Sequence, residues 1–234
     1  MDSRLIVALD FPSAEPALAL ADRLHGHVRW FKVGLELYCA EGPGLVRELR
    51  RRGFSVFLDL KLHDIPNTVA AAVRSAAASG AELLTLHAAG GPAMLRAAAD
   101  AAAPLPNPPQ LLAVTVLTSM DPAQLAAIGI AASPADQVQR LGALAAECGI
   151  SGLVASAEEV AVLRGLYPKA MLVIPGIRPS GVAVGDQKRV ATPAAALAAG
   201  ASSLVIGRPI TQAPDPVAAT QAILAEMASV PAKC

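Results

Sequence analysis

The sequence predicts a single-domain (β/α)8 barrel that spans residues 1–234. Three observations lead to this fold class. Eight short apolar runs recur along the chain, helical stretches separate them, and most gaps are long enough for a crossover helix with two loops. Eight such units in about 240 residues are typical of this barrel. Apolar residues make up 54% of the chain, which is enough to fill one large core.

Each predicted strand is a run of Val, Ile, Leu or Phe bounded by polar or glycine residues. Runs that are apolar throughout are typical of parallel strands buried on both faces. An open doubly wound sheet is the competing fold, but it usually has fewer strands, and residues 10–13 are not its glycine-rich first turn. In chain order the predicted strands are Arg4–Leu9, Arg29–Val33, Ser55–Leu60, Glu82–Leu86, Leu111–Leu117, Gly152–Ala155, Met171–Ile174 and Ser202–Ile206.

The gaps between the strands carry signals for helix starts and ends. Ser13 can cap a helix whose first turn contains Glu15 and Pro16. The long connection over residues 118–151 has room for an extra helix. The arginine run 50–52 before Gly53 is interpreted as a solvated helix end rather than a phosphate site. The cap-then-proline start signal recurs at Asp121, Ser133 and Thr192.

Composition and charge exclude several classes of partner. The chain has 19 basic and 19 acidic residues, and this balance argues against nucleic-acid binding, which needs a basic surface. No apolar run reaches about 18 residues, so no membrane partner is expected. The three cysteines are far apart and odd in number, which predicts neither a disulfide framework nor a zinc site. We therefore expect a cytoplasmic protein.

Polar residues gather where the predicted strands end. In a (β/α)8 barrel the chemistry lies at the carboxyl ends of the strands. A buried charge costs several kcal/mol unless it is paired, so charged residues in these places are not core filler. The strand-end residues are Asp10, Lys32, Asp59, Lys61, His87, Thr118, Ser119, the run Pro175 to Arg178, Gly207 and Arg208.

The densest polar group follows the third strand. Strand alternation places Asp59 and Lys61 on the same face, where each favours the charged form of the other. Lys32 ends the neighbouring strand, so carboxylates and ammonium groups can alternate across the barrel mouth. The spacing alone is also compatible with a salt-bridge network that only closes the barrel.

A second group lies at the last two strands. Barrel phosphate sites commonly use the loops after strands seven and eight. Gly176 and Gly207 permit a close backbone approach there, and Arg178 and Arg208 supply forked donors for phosphate oxygens. The pattern indicates a phosphorylated ligand, although loop glycines with solvated arginines would look the same.

The run Asp-Leu-Lys-Leu-His-Asp-Ile-Pro-Asn-Thr at residues 59–68 resembles the signature of the orotidine 5′-phosphate decarboxylase family. Its Asp-x-Lys-x-x-Asp core is shared with sister families, but further segments match in the same order almost from end to end. These segments are residues 7–10, 31–35, 117–120, 175–178, 186–190 and 206–210.

The resemblance implies one reaction, in which orotidine monophosphate loses its carboxylate as CO₂ and gives uridine monophosphate. This is the last step of de novo pyrimidine synthesis, and the family uses no metal and no organic cofactor. The resemblance makes Lys61 the proton donor to C6 of the pyrimidine. Asp59 would face the substrate carboxylate, and Lys32 would hold Asp59 and a ribose hydroxyl.

The resemblance also implies a homodimer, with Asp64 and Thr68 reaching into the partner's site. Lys61 would then lie between two aspartates. Asp10 would bind ribose, and either Thr118 or Ser119 would contact the pyrimidine amide. The remaining substrate-binding residues implied are Pro175, Arg178, Gln187, Gly207 and Arg208, with residues 179–187 forming a loop that closes over the substrate.

Two alternatives stay open at this point. A metal-dependent sister decarboxylase or aldolase acting on a sugar phosphate would share Asp59, Lys61 and Asp64. Such enzymes carry an acidic metal ligand where Lys32 stands, and a lysine would repel Mg²⁺. A non-catalytic barrel that binds a phosphorylated ligand is the second alternative, but a binder gains nothing from such a charge array.

Overall fold

The computed structural model describes residues 2, 4–179 and 191–230. It confirms the predicted barrel, because eight parallel strands pair in chain order and the last pairs with the first. All eight predicted strands are present, with ends that differ by a few residues. They are β1 (Leu5–Ala8), β2 (Trp30–Gly34), β3 (Ser55–Leu62), β4 (Leu83–His87), β5 (Gln110–Val114), β6 (Gly152–Val154), β7 (Met171–Ile174) and β8 (Ser203–Ile206).

Helices occupy the connections, and the long fifth connection holds two of them, as its length predicted. A short 3-10 turn, Ala88–Gly90, follows β4. None of the helices in the described ranges is long and apolar enough to cross a membrane. The helices are α1 (Ala14–Arg23), α2 (Leu35–Glu41), α3 (Pro43–Arg51), α4 (Pro66–Ala78), α5 (Gly91–Ala102), α6 (Pro122–Ala127), α7 (Pro134–Glu147), α8 (Val160–Leu166), α9 (Pro193–Ala199), α10 (Arg208–Thr211) and α11 (Pro216–Ala228).

Three of the four predicted helix caps are confirmed. Asp121, Ser133 and Thr192 each accept a hydrogen bond from a backbone N–H in the first turn. Ser13 does precede α1, but its side chain makes no capping bond. A cap usually accepts from the second or third backbone N–H of a helix, and the third residue here is Pro16, which has none. The first N–H, that of Ala14, donates to Glu41 Oε1 at 2.8 Å.

Two strand ends differ from the prediction in ways that shape the mouth of the barrel. β5 ends at Val114 rather than at Leu117, so the residues after it are free to line the mouth. β3 runs two residues further than predicted, to Leu62, and its pairing with β4 is irregular between Leu58 and Leu62. This irregular stretch contains both Asp59 and Lys61.

The side chains that point into the barrel form a small apolar plug. They are separate from the larger core between strands and helices, as the period of two along each strand requires. Along β3 the inward series continues from Phe57 to Asp59, so the plug ends where the charged residues begin. The buried members of the plug are Ile6, Ala8, Phe57, Leu83, Leu112, Val173 and Val205.

Candidate active site

Four side chains of alternating charge lie at the carboxyl ends of the first three strands. Lys32 Nζ donates to Asp10 Oδ1 at 3.0 Å and lies 3.6 Å from Asp59 Oδ2. Lys61 Nζ donates to Asp59 Oδ1 at 2.8 Å. These four residues form a continuous series of opposite charges, which we call the mouth array. The alternation predicted from the strand ends is therefore confirmed.

Asp59 is the buried centre of the mouth array, with a side chain 12% exposed. Burial raises the pKa of its carboxyl group, but the ammonium groups of Lys32 and Lys61 and the hydrogen bonds it accepts outweigh burial. The pKa of Asp59 consequently lies below its ordinary value. The side chain is an anion at neutral pH, and it holds two cations in fixed positions.

The backbone of Lys61 is unusual. Its φ is 50°, and among the described residues it alone has a positive φ without being glycine. Such conformations carry strain and are common at functional sites. Thr85 Oγ1 accepts a hydrogen bond from the Lys61 backbone N–H at 2.9 Å and donates to Asp59 Oδ1 at 2.9 Å. Thr85 was not selected from the sequence, where its one signal is a polar residue inside the apolar run of β4.

Gly34 was also missed as a site residue. A Cβ at this position would lie 2.9 Å from Lys32 Nζ and 3.3 Å from Asp10 Oδ1. The absence of a side chain at Gly34 therefore leaves room for the Lys32 ammonium group beside Asp10.

A cavity of about 200 Å³ opens beside the mouth array. The structure brings five predicted site residues to its wall: Lys32, Asp59, Lys61, Thr118 and Pro175. Ser119 is exposed and is not part of the wall. The rest of the wall is apolar, which strengthens electrostatic interactions inside the cavity. These apolar residues are Phe57, Val114, Val116, Leu117, Val154, Ala155, Val173 and Val205.

The predicted phosphate end lies at the ends of β7 and β8. A Cβ at Gly207 would lie 3.4 Å from Asp10 Oδ2, so this end adjoins the mouth array. Arg208 is exposed at the start of α10. Arg178 is buried, and its Nη1 donates to the Ile177 carbonyl at 2.8 Å. Gln187 and nearly all of the predicted closing loop lie outside the described residues.

Asp64 and Thr68 are not brought to Lys61 within one chain. Every residue from His63 to Thr68 is exposed, and Asp64 Oδ1 accepts from the backbone N–H of Ile65 at 2.6 Å. Within the described part of the chain Asp64 forms no ion pair. Within the chain, only one of the two aspartates expected beside Lys61, Asp59, therefore contacts it.

His63 and His87 lie next to each other beside the site, with ring centroids 5.5 Å apart. Burial, together with electrostatic interactions with His63 and Lys61, lowers the pKa of His87 despite the opposing charge of Asp59. His87 is therefore neutral near pH 7. Across the described ranges, no three His, Cys, Asp or Glu side chains are grouped so that they could hold a metal ion.

A (β/α)8 barrel with buried, alternating charges around a strand-end cavity is the architecture of a barrel enzyme. Comparison with known proteins gives the particular family. Residues 3–223 match the model of the orotidine 5′-phosphate decarboxylase / HUMPS family. The chain belongs to this family.

Individual relatives agree with this assignment. The chain is 54% identical to an orotidine 5′-phosphate decarboxylase of Halorhodospira halophila, over 97% of this chain and 96% of the relative. It is 52% identical to an enzyme of the same name from Nitrosococcus oceani, over 97% and 99%. The crystal structure of orotidine 5′-phosphate decarboxylase from Lactobacillus acidophilus superposes with a TM-score of 0.85 at 37% identity, covering 97% of this chain and 99% of that chain.

Proposed function

We propose that this chain is an orotidine 5′-phosphate decarboxylase, a carboxy-lyase that converts orotidine monophosphate to uridine monophosphate and CO₂ in the last step of de novo pyrimidine synthesis. The observation that carries the proposal is the mouth array beside the cavity, with Lys61 Nζ held 2.8 Å from a buried carboxylate. The names of the relatives and the family match support it.

The chemistry explains why ammonium and carboxylate groups are needed. When the bond between C6 and the carboxyl carbon breaks, its electron pair stays on C6 and CO₂ leaves as a neutral molecule. The resulting carbanion has no electron sink in the ring, so fixed charges and a ready proton must stabilise it. Lys61 stabilises the developing anion and transfers a proton to C6, after which water restores the proton to Lys61. No organic cofactor or metal is needed for these steps.

The other members of the mouth array bind the substrate and supply the charges around Lys61. Asp59, ionised at neutral pH, faces the substrate carboxylate and holds both ammonium groups. Its repulsion of that carboxylate is relieved when neutral CO₂ leaves. Lys32 binds Asp59 and a ribose hydroxyl, and Asp10 binds ribose.

The base and the phosphate are bound on either side of the mouth array. Thr118 contacts the pyrimidine amide, since it lies on the cavity wall and Ser119 does not. Pro175 forms the wall beside the base. The phosphate is held by Arg208, Gln187 and the backbone N–H of Gly207, with Arg178 at the same end. Remote phosphate binding of this kind can support the transition state at C6.

The active form is a homodimer in which Asp64 and Thr68 of each subunit complete the partner's site. Two features support this arrangement. The segment from His63 to Thr68 is exposed in one chain, and it includes an apolar side chain, Ile65, that is 67% exposed. Lys61 also has room for a second anion, because its side chain is 30% exposed beside Asp59.

A cytoplasmic location without nucleic-acid or membrane partners belongs to the same proposal. Free thiols at Cys39 and Cys148 and the balance of acidic and basic residues support it. Cell fractionation with an antibody against the chain would test it, and recovery in the membrane fraction would contradict it.

Metal-dependent sister enzymes are disfavoured by Lys32. Its ammonium group lies between Asp10 and Asp59, where a divalent cation would need those two carboxylates. The decisive assay therefore mixes the purified protein with orotidine monophosphate and a chelator, and follows the loss of orotate absorbance. Turnover is expected with the chelator present, and Lys61→Ala should lower it by more than about 1,000-fold. Absence of turnover, or turnover only with added Mg²⁺, would refute the proposal.

The shared site can be tested by mixing two inactive variants. In a heterodimer of Lys61→Ala and Asp64→Ala subunits, one of the two sites contains both natural residues. Random exchange of equal amounts should therefore restore up to about a quarter of the natural activity, since half of the dimers are mixed and each has one intact site. No recovery after verified subunit exchange would contradict the placement of Asp64 in the partner's site.

A further inference from the structure

We propose that Thr85 is a positioning residue for the reaction, which aims the Lys61 ammonium group by fixing both the Asp59 carboxylate and the Lys61 backbone. This inference rests on the proposed function, but it concerns a residue to which neither the sequence nor the family resemblance gave a role. Thr85 itself faces the charged residues rather than the substrate.

The hydroxyl of Thr85 both donates and accepts a hydrogen bond. It donates its proton to Asp59 Oδ1 at 2.9 Å, and a lone pair accepts the Lys61 backbone N–H at 2.9 Å. The residue is 0% exposed, so water has no access to replace either bond. One side chain on β4 therefore links two functional residues of β3.

The pairing of the strands explains why this link is needed. Leu58 pairs with Leu84, but Leu62 pairs with Leu86. Four steps along β3 thus match two steps along β4, and the extra residues bulge out of the ladder. Such a bulge leaves a backbone N–H without its regular partner in the sheet. Here the N–H of Lys61 donates to the Thr85 hydroxyl instead. The bulge and the positive φ of Lys61 therefore depend on a side chain outside β3.

The bulge also sets the direction of the catalytic side chain. Lys61 has φ 50°, which a non-glycine residue keeps only when its surroundings hold it there. If the bond from its N–H were lost, the strand could relax and turn the ammonium group away from Asp59. Removal of the Thr85 hydroxyl would also take away one of the donors that stabilise the Asp59 anion.

The variant Thr85→Val tests the inference, since it keeps the branched shape and removes the hydroxyl. We expect kcat to fall roughly 10- to 100-fold while KM changes less than about threefold, because the bonds to the Asp59 carboxylate and to the Lys61 backbone are lost without loss of a substrate contact. Thr85→Ser retains the hydroxyl and should recover activity to within about threefold of the natural enzyme.

Thr220→Val is the matched control. Thr220 is also 0% exposed, but its hydroxyl finds no hydrogen-bond partner among the described residues, and it lies on α11 away from the mouth array. This variant should leave kcat and KM unchanged. If Thr85→Val and Thr220→Val have the same kcat, or if Thr85→Ser is as slow as Thr85→Val, the positioning role is refuted.

A second measurement needs no substrate. Carbon-13 NMR of labelled aspartate carboxyl groups, with the Asp59 signal identified by its loss in Asp59→Asn, gives the titration midpoint of Asp59. The midpoint should move to higher pH in Thr85→Val and stay in place in Thr220→Val, because one donor to the anion is removed. An unmoved midpoint would overturn the inference. Absence of turnover in the natural protein would refute the proposed function, and the titration would still decide on Thr85.

Discussion

The molecule contains two clusters of alternating charge, one exposed and one buried. The difference in burial changes what each cluster contributes to stability and activity. The first, which we call the surface cluster, joins the end of α3 to α1. Glu48 accepts hydrogen bonds from Arg51 at 2.7 Å and Arg52 at 2.8 Å, and Arg52 also pairs with Asp22. Arg51 is 73% exposed. Exposed pairs of this kind contribute little to stability, since water and salt screen them.

The mouth array has the same alternation of charge but is more buried. Lys32 and Asp59 have side chains that are 11% and 12% exposed. Water cannot readily replace the partner of a buried charge. Removal of one partner therefore leaves the charge of the other uncompensated. The pattern of charged residues alone therefore does not identify a functional site. The arginine run of the surface cluster looks as charged in the sequence as the strand ends do, but Arg51 is exposed, whereas Lys32 and Asp59 are buried.

The largest expected effect comes from replacing the central aspartate of the mouth array, and the same replacement in the surface cluster is its control. Asp59→Asn removes the anion between two ammonium groups, and we expect turnover to fall by about 1,000-fold or more. The free energy of unfolding should fall by roughly 3 kcal/mol, the lower end for a broken buried pair, because Lys61 keeps contact with water. Decarboxylation assays and urea unfolding measure the two effects.

Asp22→Asn is the matched change in the surface cluster. Asp22 has a side chain that is 57% exposed, so the variant should keep full activity and lose less than about 1 kcal/mol of stability. If both variants lost the same stability and activity, burial would not be what distinguishes the two clusters.

A smaller effect should follow from moving one ion of the mouth array without changing any charge. Gly34→Ala introduces a Cβ 2.9 Å from Lys32 Nζ, which forces the ammonium group to shift. The backbone of Gly34, with φ −92°, accepts alanine without strain, so the cost arises from the displaced ion. We expect kcat/KM to fall roughly 10-fold, since a small misplacement of a catalytic group is costly.

Gly165→Ala provides the control for Gly34→Ala. Nothing lies within 4 Å of a Cβ at Gly165, which is in α8. This variant should keep its activity and gain up to about 1 kcal/mol, because alanine favours a helix more than glycine does. Full activity in Gly34→Ala would show that the position of Lys32 is not restricted as the structure indicates.

The fold was predictable because its signal is local. Each strand is a short apolar run, and each of three caps, such as Asp121 before Pro122, is a contact within one turn. The contact between Asp59 and Lys61 was predicted from strand alternation, but in the structure the irregular pairing of β3 and the positive φ of Lys61 set the direction of the Lys61 side chain. Whether Thr118 or Ser119 faces the cavity was not predictable, because the chain leaves β5 before reaching them.

The residues that were missed depend on pairing between strands. Thr85 is a common strand residue, and its role arises only from the bulge opposite it, which depends on the register of β3 against β4. Gly34 matters because of where the end of the Lys32 side chain lies, which no spacing in the sequence gives. The missing cap of Ser13 has a local cause instead, since Pro16 has no backbone N–H to donate to it.

The smallest effect is expected from Glu48→Gln in the surface cluster. Hydrogen bonds from Arg51 and Arg52 hold the pKa of Glu48 at about 2, below its ordinary value of 4.5. A carboxyl group whose pKa is lowered by folding stabilises the protein at pH values above its ordinary pKa. That contribution is lost as the pH falls towards about 2. The melting temperature of the variant should therefore lie slightly below that of the natural protein at pH 7, and the difference should shrink towards pH 3. Salt at about 1 M should also reduce it, since screening then acts over about 3 Å. A difference of the same size at pH 3 as at pH 7, or one that high salt left unchanged, would show that Glu48 acts through packing rather than charge, and that the surface cluster resembles the mouth array more than its exposure indicates.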